Sequence, residues 1–492
     1  MTSTPCAEGI EVIMFRTIGD GPSEWELRLP AEVLRLPAEL AAVDGLLDDP
    51  VFFAPFAPYF HPVLGRPSTP AEWYLRLMFL KFRYRLGYES LCAEVSDSIS
   101  WRRFCRIPLD GTVPHPTTLM KLTARCGSAA VEGLNEALWA RAAGQKLLRV
   151  SRLRADTTVV PANVAYPTDS GLLARAVRAI AAAGRRVQAA GGARRTRVRD
   201  RSRAAGRRAH AIAAKLRLRA AQATGGQQAA VLAVTGELAG LAERAASDAR
   251  RLLANARRAL RRAQAAAAAL AAAGLKDPAA GRRRGALRRA AADLAALLKV
   301  TPILAAQARQ RIAGHMPGGA TRRVSLHDAS ARPIAKGRLG KPVEFGYKAQ
   351  VTDNDDGVIV DYHLEQGSPA DGPQLAPAVA RVIARAGRTP RTVTADRGYG
   401  DKPVEDDLHA LGIRHVAIPR KGKPGTARQA TEHRRAFRRH IKWRTGSEGR
   451  ISTLKRQYGW DRTRLDGAEG ARTWTGYGVL THNLAKIAAL AT

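Results

Sequence analysis

The sequence predicts an α/β protein: a sheet of mixed strand direction with flanking helices, preceded by an all-α domain and interrupted by a long Ala/Arg-rich helical insertion after the first strand. Three observations carry that expectation. Short β-branched, alternating runs recur at 147–160, 345–364, 391–396 and 415–418, and helical stretches separate them after residue 364. The segment 171–320 is dominated by Ala and Arg, both strong helix formers. At 492 residues the chain is too long for one ordinary core, so two or three domains are expected.

Residues 1–66 are Pro-punctuated and read as an irregular strap, with the aromatic stretch 52–60 expected to pack on a neighbouring domain. Residues 67–144 read as a helical, DNA-binding-like domain. Ser68-Thr69-Pro70 is a helix start, and the run from Trp73 to Tyr84 carries Arg76, Lys81, Arg83 and Arg85 before Gly87 ends it. A second helix covers Tyr88 to Val95, Trp101, Phe104 and Ile107 supply a third, and Thr117-Thr118-Leu119 opens a fourth. Tight turns and basic outer faces suit a helix-turn-helix-like DNA reader, and a plain packing domain equally.

Residues 145–170 and 321–492 form the sheet domain. Its first strand runs through Asp156 and closes at Pro161. The insertion, 171–320, is punctuated by Gly191-Gly192, Gly225-Gly226, the stretch 274–278 and Pro302 into three or four long helices. Leu172, Leu173, Ala176, Val177 and Ile180 give it a weak apolar stripe suited to a coiled-coil-like hairpin. Beyond it come a hairpin turning at 353–357, a helix over 374–386, a strand over 391–396, a helix over 404–411 and a strand at 415–418. A basic loop, 419–431, then leads to one helix over 433–455.

The charge balance narrows the function classes. With 80 Lys+Arg against 43 Asp+Glu the net charge is +37, and 171–320 alone holds 31 Lys+Arg against 6 Asp+Glu. Such an excess implies a polyanionic partner, and nucleic acid is the common one. The four cysteines, Cys6, Cys92, Cys105 and Cys126, form no CxxC pair and no zinc-spaced cluster, which fits a reducing cytoplasm and argues against a disulfide framework. The most membrane-like run, 263–275, is mostly alanine and well short of the ~20 residues a span needs, so no membrane is expected.

Three carboxylates stand where chemistry could use them. Asp156 sits inside the first strand, where a buried charge demands a partner or a metal. Asp396 ends a strand in Thr-Val-Thr-Ala-Asp-Arg-Gly-Tyr-Gly, and ligands gather at strand ends in α/β sheets. Glu448 lies on the late helix between Arg444 and Lys455. Singly each has a bland account: an ion pair for Asp156, a turn for Asp396, an i,i+4 pair for Glu448. Together they are hard oxygen donors drawn from separate elements, as two divalent ions in phosphodiester chemistry require.

At these residues the chain resembles the bacterial insertion-sequence transposases of the DDE type, whose catalytic domain has the RNase H-like fold. Asp156 in Ala-Asp-Thr-Thr-Val-Val matches the first acid, Asp396 in Ala-Asp-Arg-Gly-Tyr the second, and Glu448 the third. The segments 451–460 and 478–484 are also typical, and 68–126 is similar to the family's N-terminal helical domain. In the signature Tyr-x2-Arg-x3-Glu-x6-Lys, Arg444, Glu448 and Lys455 fit while Ile441 holds the tyrosine's place. The resemblance implies two Mg²⁺ ions, or Mn²⁺ in their place, on Asp156, Asp396 and Glu448. It also implies phosphate contacts from Arg444, Lys455, Arg397 and Arg450. The implied partners are double-stranded DNA, as element ends and target, and further copies of the chain in a homodimer or higher oligomer on the nucleoid. Two rival classes remain: a transposase-derived DNA binder without catalysis, against which the intact trio speaks, and a basic nucleoid or ribosomal protein, which leaves the ordered acids unexplained.

Overall fold

The computed structural model describes residues 17, 26–61, 67–219, 225–336 and 342–491. They fall into two compact units: residues 1–163 with 346–492, and residues 164–345.

In the first unit, part of the expected N-terminal strap lies outside the described residues. The part that is described is helical rather than irregular: α1 (Ala31–Leu34), α2 (Ala38–Leu47) and 3-10 turns at Pro50–Phe52 and Ala54–Tyr59. Pro30 and Pro37 each stand immediately before a helix, where a missing N–H costs nothing, and α2 buries Leu40, Val43, Leu46 and Leu47. Phe52, Phe53 and Phe56 of the aromatic stretch are core residues.

Helices α3 (Ala71–Arg83), α4 (Tyr88–Asp97), α5 (Ile99–Phe104) and α6 (Pro116–Gly144) follow. The expected basic outer face of α3 is turned inward instead. Arg76 is fully buried and pairs with Asp44 and Asp48 at 2.7 and 2.8 Å. Lys81 donates to the Leu86 carbonyl and lies against the Tyr88 and Trp474 rings, while Arg83 pairs with Glu39 and Arg85 with Asp461. Because α3 is apolar on most faces it is buried nearly all round, and its cations must find partners within the fold. This helix packs within the fold, with Arg83 and Arg85 still partly exposed at its end.

After the first strand, β1 (Arg152–Pro161), the chain enters the second unit. There α7 (Asp169–Ala189), α8 (Ser202–Arg219), α9 (Gly225–Ala272) and α10 (Pro278–Ile312) realise the expected long helices, and a short strand β2 (Arg332–Ala335) precedes the return. Thr168 caps α7 by accepting from the Gly171 N–H, and Asp277 caps α10 by accepting from the Ala280 N–H. The apolar stripe packs as its spacing requires. Leu172, Leu173, Ala176 and Val177 meet Ile212, Leu238, Ala242 and Leu304, and Ile180, Ala183 and Val187 meet Leu252, Leu253, Leu287 and Leu294. By length and composition α10 could cross a membrane, yet half of its most apolar stretch is buried.

Back in the first unit come β3 (Val343–Asp353), β4 (Ile359–Gln366), α11 (Gly372–Ala386), β5 (Thr392–Ala395), α12 (Lys402–Ala410), β6 (His415–Ala417), α13 (Thr426–His433), α14 (Arg435–Arg444), α15 (Gly446–Gln457) and α16 (Gly467–Ala491). The sheet of this unit runs β4-β3-β1-β5-β6. β1 pairs antiparallel with β3, and β3 with β4, whereas β1, β5 and β6 are parallel, which is the mixed sheet expected. Two details differ from the sequence reading. The latter part of the basic loop folds into α13, and the single late helix is divided at Arg434 and Thr445 into the end of α13, α14 and α15.

Candidate active site

Strand register brings the first two acids together. Ala155 on β1 is the parallel-sheet partner of Ala395 on β5, so Asp156 and Asp396, each the next residue of its chain segment, are about 5 Å apart across the sheet, backbone to backbone. β5 ends at Ala395 and the chain turns at once: the Asp396 carboxylate accepts from the Gly398 N–H at 2.7 Å, opening a 3-10 turn over Arg397–Tyr399. The turn needs Gly400, because a Cβ there would run into the carbonyl of Pro419, a rigid backbone atom. Gly400→Ala is therefore expected to displace the 419–421 segment and cost at least about 2 kcal/mol, read as a lowered thermal midpoint.

Glu448 arrives from α15, whose first turn faces β1. Ser447, one residue earlier, is buried with its hydroxyl 3.4 Å from Asp156 Oδ2 and 2.8 Å from the Arg444 carbonyl that it caps. Arg444, the last residue of α14, spans the acids: Nη1 lies 3.5 Å from Asp156 Oδ2 and Nη2 donates to Glu448 Oε1 at 3.2 Å. Asp156 is 9% exposed, while the Glu448 side chain is 67% exposed.

Electrostatics show the cost of this gathering. The Asp156 carboxyl is pushed up to about 6, first by burial and then by the Asp396 charge, with Glu448 adding to the rise and the Thr157 N–H and Arg444 pulling it back. Tyr399, buried beneath the acids, donates its hydroxyl to Gln350 at 3.1 Å, and burial together with Asp371, Asp156 and Asp396 holds its proton firmly in place. Between about pH 4 and 6 folded Asp156 keeps a proton that the unfolded chain has released, so its contribution makes stability fall as pH rises through that window. Asp156→Asn is accordingly expected to stabilise metal-free protein at pH 7.5 by up to about 3 kcal/mol, seen as a higher thermal midpoint, with no gain at pH 4. Calorimetry in EDTA at both pH values measures this, and an equal or lower midpoint at pH 7.5 contradicts it.

A second layer docks the helices on the strand. Arg154, two residues before Asp156 and on the same face, is bidentate to Asp353 at 2.9 and 2.7 Å, donates to the Trp443 carbonyl at 2.9 Å and stacks on the Trp443 ring at 4.7 Å. Gly446 makes room for that guanidinium, which a Cβ would strike. Thus the strand that carries Asp156 also fixes the junction between α14 and α15.

The remaining sequence candidates separate. Lys455 is half-buried two turns along α15 from Glu448. Arg397 is exposed beside Asp396. Arg450 lies 3.4 Å from Asp353 and 3.1 Å from the His482 ring, contacts that hold α15 to the fold. Arg420 and Arg428 of the basic loop pair with Glu405, and Arg428 also with Glu432. The sequence reading missed a cationic face. On and just before α14, Arg434, Arg435, Arg438, Arg439 and Lys442 are exposed, and none of them forms an ion pair among the described residues. Their i,i+4 spacing gathers them on one outer face of α14, while Arg444 at its end turns the other way, to Asp156 and Glu448.

Among the described residues, no three His, Cys, Asp or Glu side chains are gathered closely enough to hold a metal ion as they stand. The donor chemistry nevertheless suits a hard divalent cation: adjacent carboxylates on β1 and β5, a third on α15, and a guanidinium now bridging two of them.

The sheet order, with acids at the centre of β1 and just past the end of β5 and a third on α15, defines an RNase H-like domain. Two family models match the chain: a Transposase DDE domain over residues 319–484 and a Transposase domain (DUF772) over residues 31–125. The chain belongs to the insertion-sequence DDE transposases, enzymes of the transposase nuclease type that bind DNA and generally use divalent metal ions. The DDE match includes Asp396 and Glu448; Asp156 precedes it, on the far side of the insertion. No curated protein and no solved structure matches the chain.

Proposed function

We propose that the protein cleaves DNA strands at the ends of an insertion sequence and transfers them to a target, acting on nucleoid DNA in the cytoplasm. The observation that carries this reading is the in-register adjacency of Asp156 and Asp396, with Arg444 reaching from Asp156 to Glu448. Asp156, Asp396 and Glu448 would hold two Mg²⁺ ions, or Mn²⁺. Such ions, when bound, supply a nucleophilic oxygen and neutralise the leaving one.

The chain's own residues do the rest. The Asp156 carboxyl, pushed up to about 6 by burial and the Asp396 charge, is ionised at neutral pH, and the crowded negative charge that results favours cations. Arg444, freed from the carboxylates, turns its fork to a phosphate, and Lys455 and Arg397 offer further cations at the two sides of the site. The cationic face from Arg434 to Lys442, on the outer side of α14, offers a track for a phosphate backbone. Joining two element ends calls for at least two copies of the chain on DNA.

The test is a nicking assay on a duplex carrying the DNA that flanks the reading frame. Strand breaks at the element end in Mg²⁺, abolished by EDTA and restored by Mn²⁺, are expected. Binding without nicking in either ion contradicts the reading.

A further inference from the structure

In the second unit, α9 and α10 form an antiparallel pair that outruns the rest of its bundle. Leu253 and Ala256 of α9 pack with Leu287, Ala290 and Ala291 of α10, close to Val187 of α7. Beyond that level no residue is buried: from Arg257 through Gly274 to Ala286 every side chain is exposed or half-exposed. The free end is smooth, an alanine run from 265 to 269 continuing to Ala273, so it offers almost nothing that could hydrogen-bond a base edge.

At the base of this projection sits a collar of arginines. Arg257, Arg258, Arg261 and Arg262 on α9 flank Arg282, Arg283, Arg284, Arg288 and Arg289 on α10. Between Asp248 and Asp293 the sole carboxylate is Asp277, which caps α10. None of the nine collar arginines forms an ion pair among the described residues, although Arg185, Arg201, Arg208 and Arg309 elsewhere in the unit all do. Arg257 with Arg261, Arg258 with Arg262 and Arg284 with Arg288 are like charges one helical turn apart, a spacing that costs stability in the free protein.

We propose that this arginine collar is a sequence-blind clamp for the phosphate backbone of duplex DNA. The four α9 arginines span about 8 Å of helix, against one phosphate per ~1.7 Å of duplex axis, so each can meet its own phosphate. Guanidinium forks and backbone phosphates match in geometry and charge. The alanine tip adds length without base readout, so recognition of the element ends belongs to other surfaces of the chain. The inference deepens the proposed function by dividing DNA affinity from DNA specificity.

The experiment uses the full chain and two 30-bp duplexes, one from the element end and one scrambled, each titrated across a range of NaCl by fluorescence anisotropy. The variant R257Q/R258Q/R261Q/R262Q keeps helix propensity and removes four charges. Its slope of log K against log salt is expected to be shallower by about 3–4, with both duplexes weakened by the same factor and their ratio unchanged. R282Q/R283Q/R288Q/R289Q on the facing helix must repeat the effect, and circular dichroism must show parental helicity in the variant that is scored. An unchanged slope, or a loss confined to the element-end duplex, overturns the clamp. So does loss of binding to phosphatidylglycerol vesicles with the DNA slope intact. Mg²⁺ nicking by the parent separates the two readings: nicking with an unaltered slope in the variants overturns the clamp alone. A shallower slope without nicking by the parent overturns the catalytic reading alone.

Discussion

Asp396→Asn is expected to lower the Mg²⁺-dependent nicking rate by about 10³-fold or more while leaving DNA affinity within about twofold, since metal-held charge stabilisation is worth several kcal/mol. The asparagine carbonyl can still accept from the Gly398 N–H, so the turn after β5 survives. What disappears is the negative charge next to Asp156, one residue past the Ala155–Ala395 pair. Loss of that charge also removes one of the two carboxylates that push the Asp156 carboxyl up to about 6, so residual activity should retain its ionised form to lower pH. Single-turnover nicking measured from pH 5.5 to 8.5 reads both effects. Activity within tenfold of the parent would mean that the reacting ions lie elsewhere.

Asp353→Asn is the second large effect, expected on stability rather than chemistry. Arg154 and Asp353 are 9% and 1% exposed, and removing one partner leaves the other charge buried, which costs about 3–5 kcal/mol. Arg154 also grips Trp443, so the α14–α15 junction should loosen and nicking should fall with it. All seven tryptophans lie outside residues 164–345, so tryptophan fluorescence in urea follows the first unit alone. A midpoint close to the parental one would contradict the expectation. Replacing both partners, as Arg154→Met with Asp353→Leu, should restore part of the loss, because an apolar pair needs no counter-charge.

How much of this was legible in the sequence depended on the range of the interaction. Strand periodicity placed Asp156 within β1 and Asp396 at the end of β5, and the Ala/Arg composition announced the helical insertion, because those signals are local. Partners distant along the chain were not legible. Arg76 looked like part of a basic face, yet Asp44 and Asp48 meet it across the fold. The contacts of Arg450 with Asp353 and His482 likewise come from other elements. The break at Thr445 was hidden because Arg444 and Glu448 keep i,i+4 contact across it, so the spacing still reads as one helix. The cations on α14 were visible as residues; that none of them forms an ion pair among the described residues is a tertiary fact the sequence does not show.

Crystals equilibrated with Mn²⁺ and element-end DNA, and measured at the manganese edge, provide the decisive map. Two anomalous peaks about 3.5–4 Å apart are expected at the Asp156–Asp396 edge of the sheet, with Glu448 drawn onto one of them and Arg444 released from both carboxylates. A map with no peak at that edge, and Arg444 still joined to Asp156 and Glu448, would contradict the metal-dependent account.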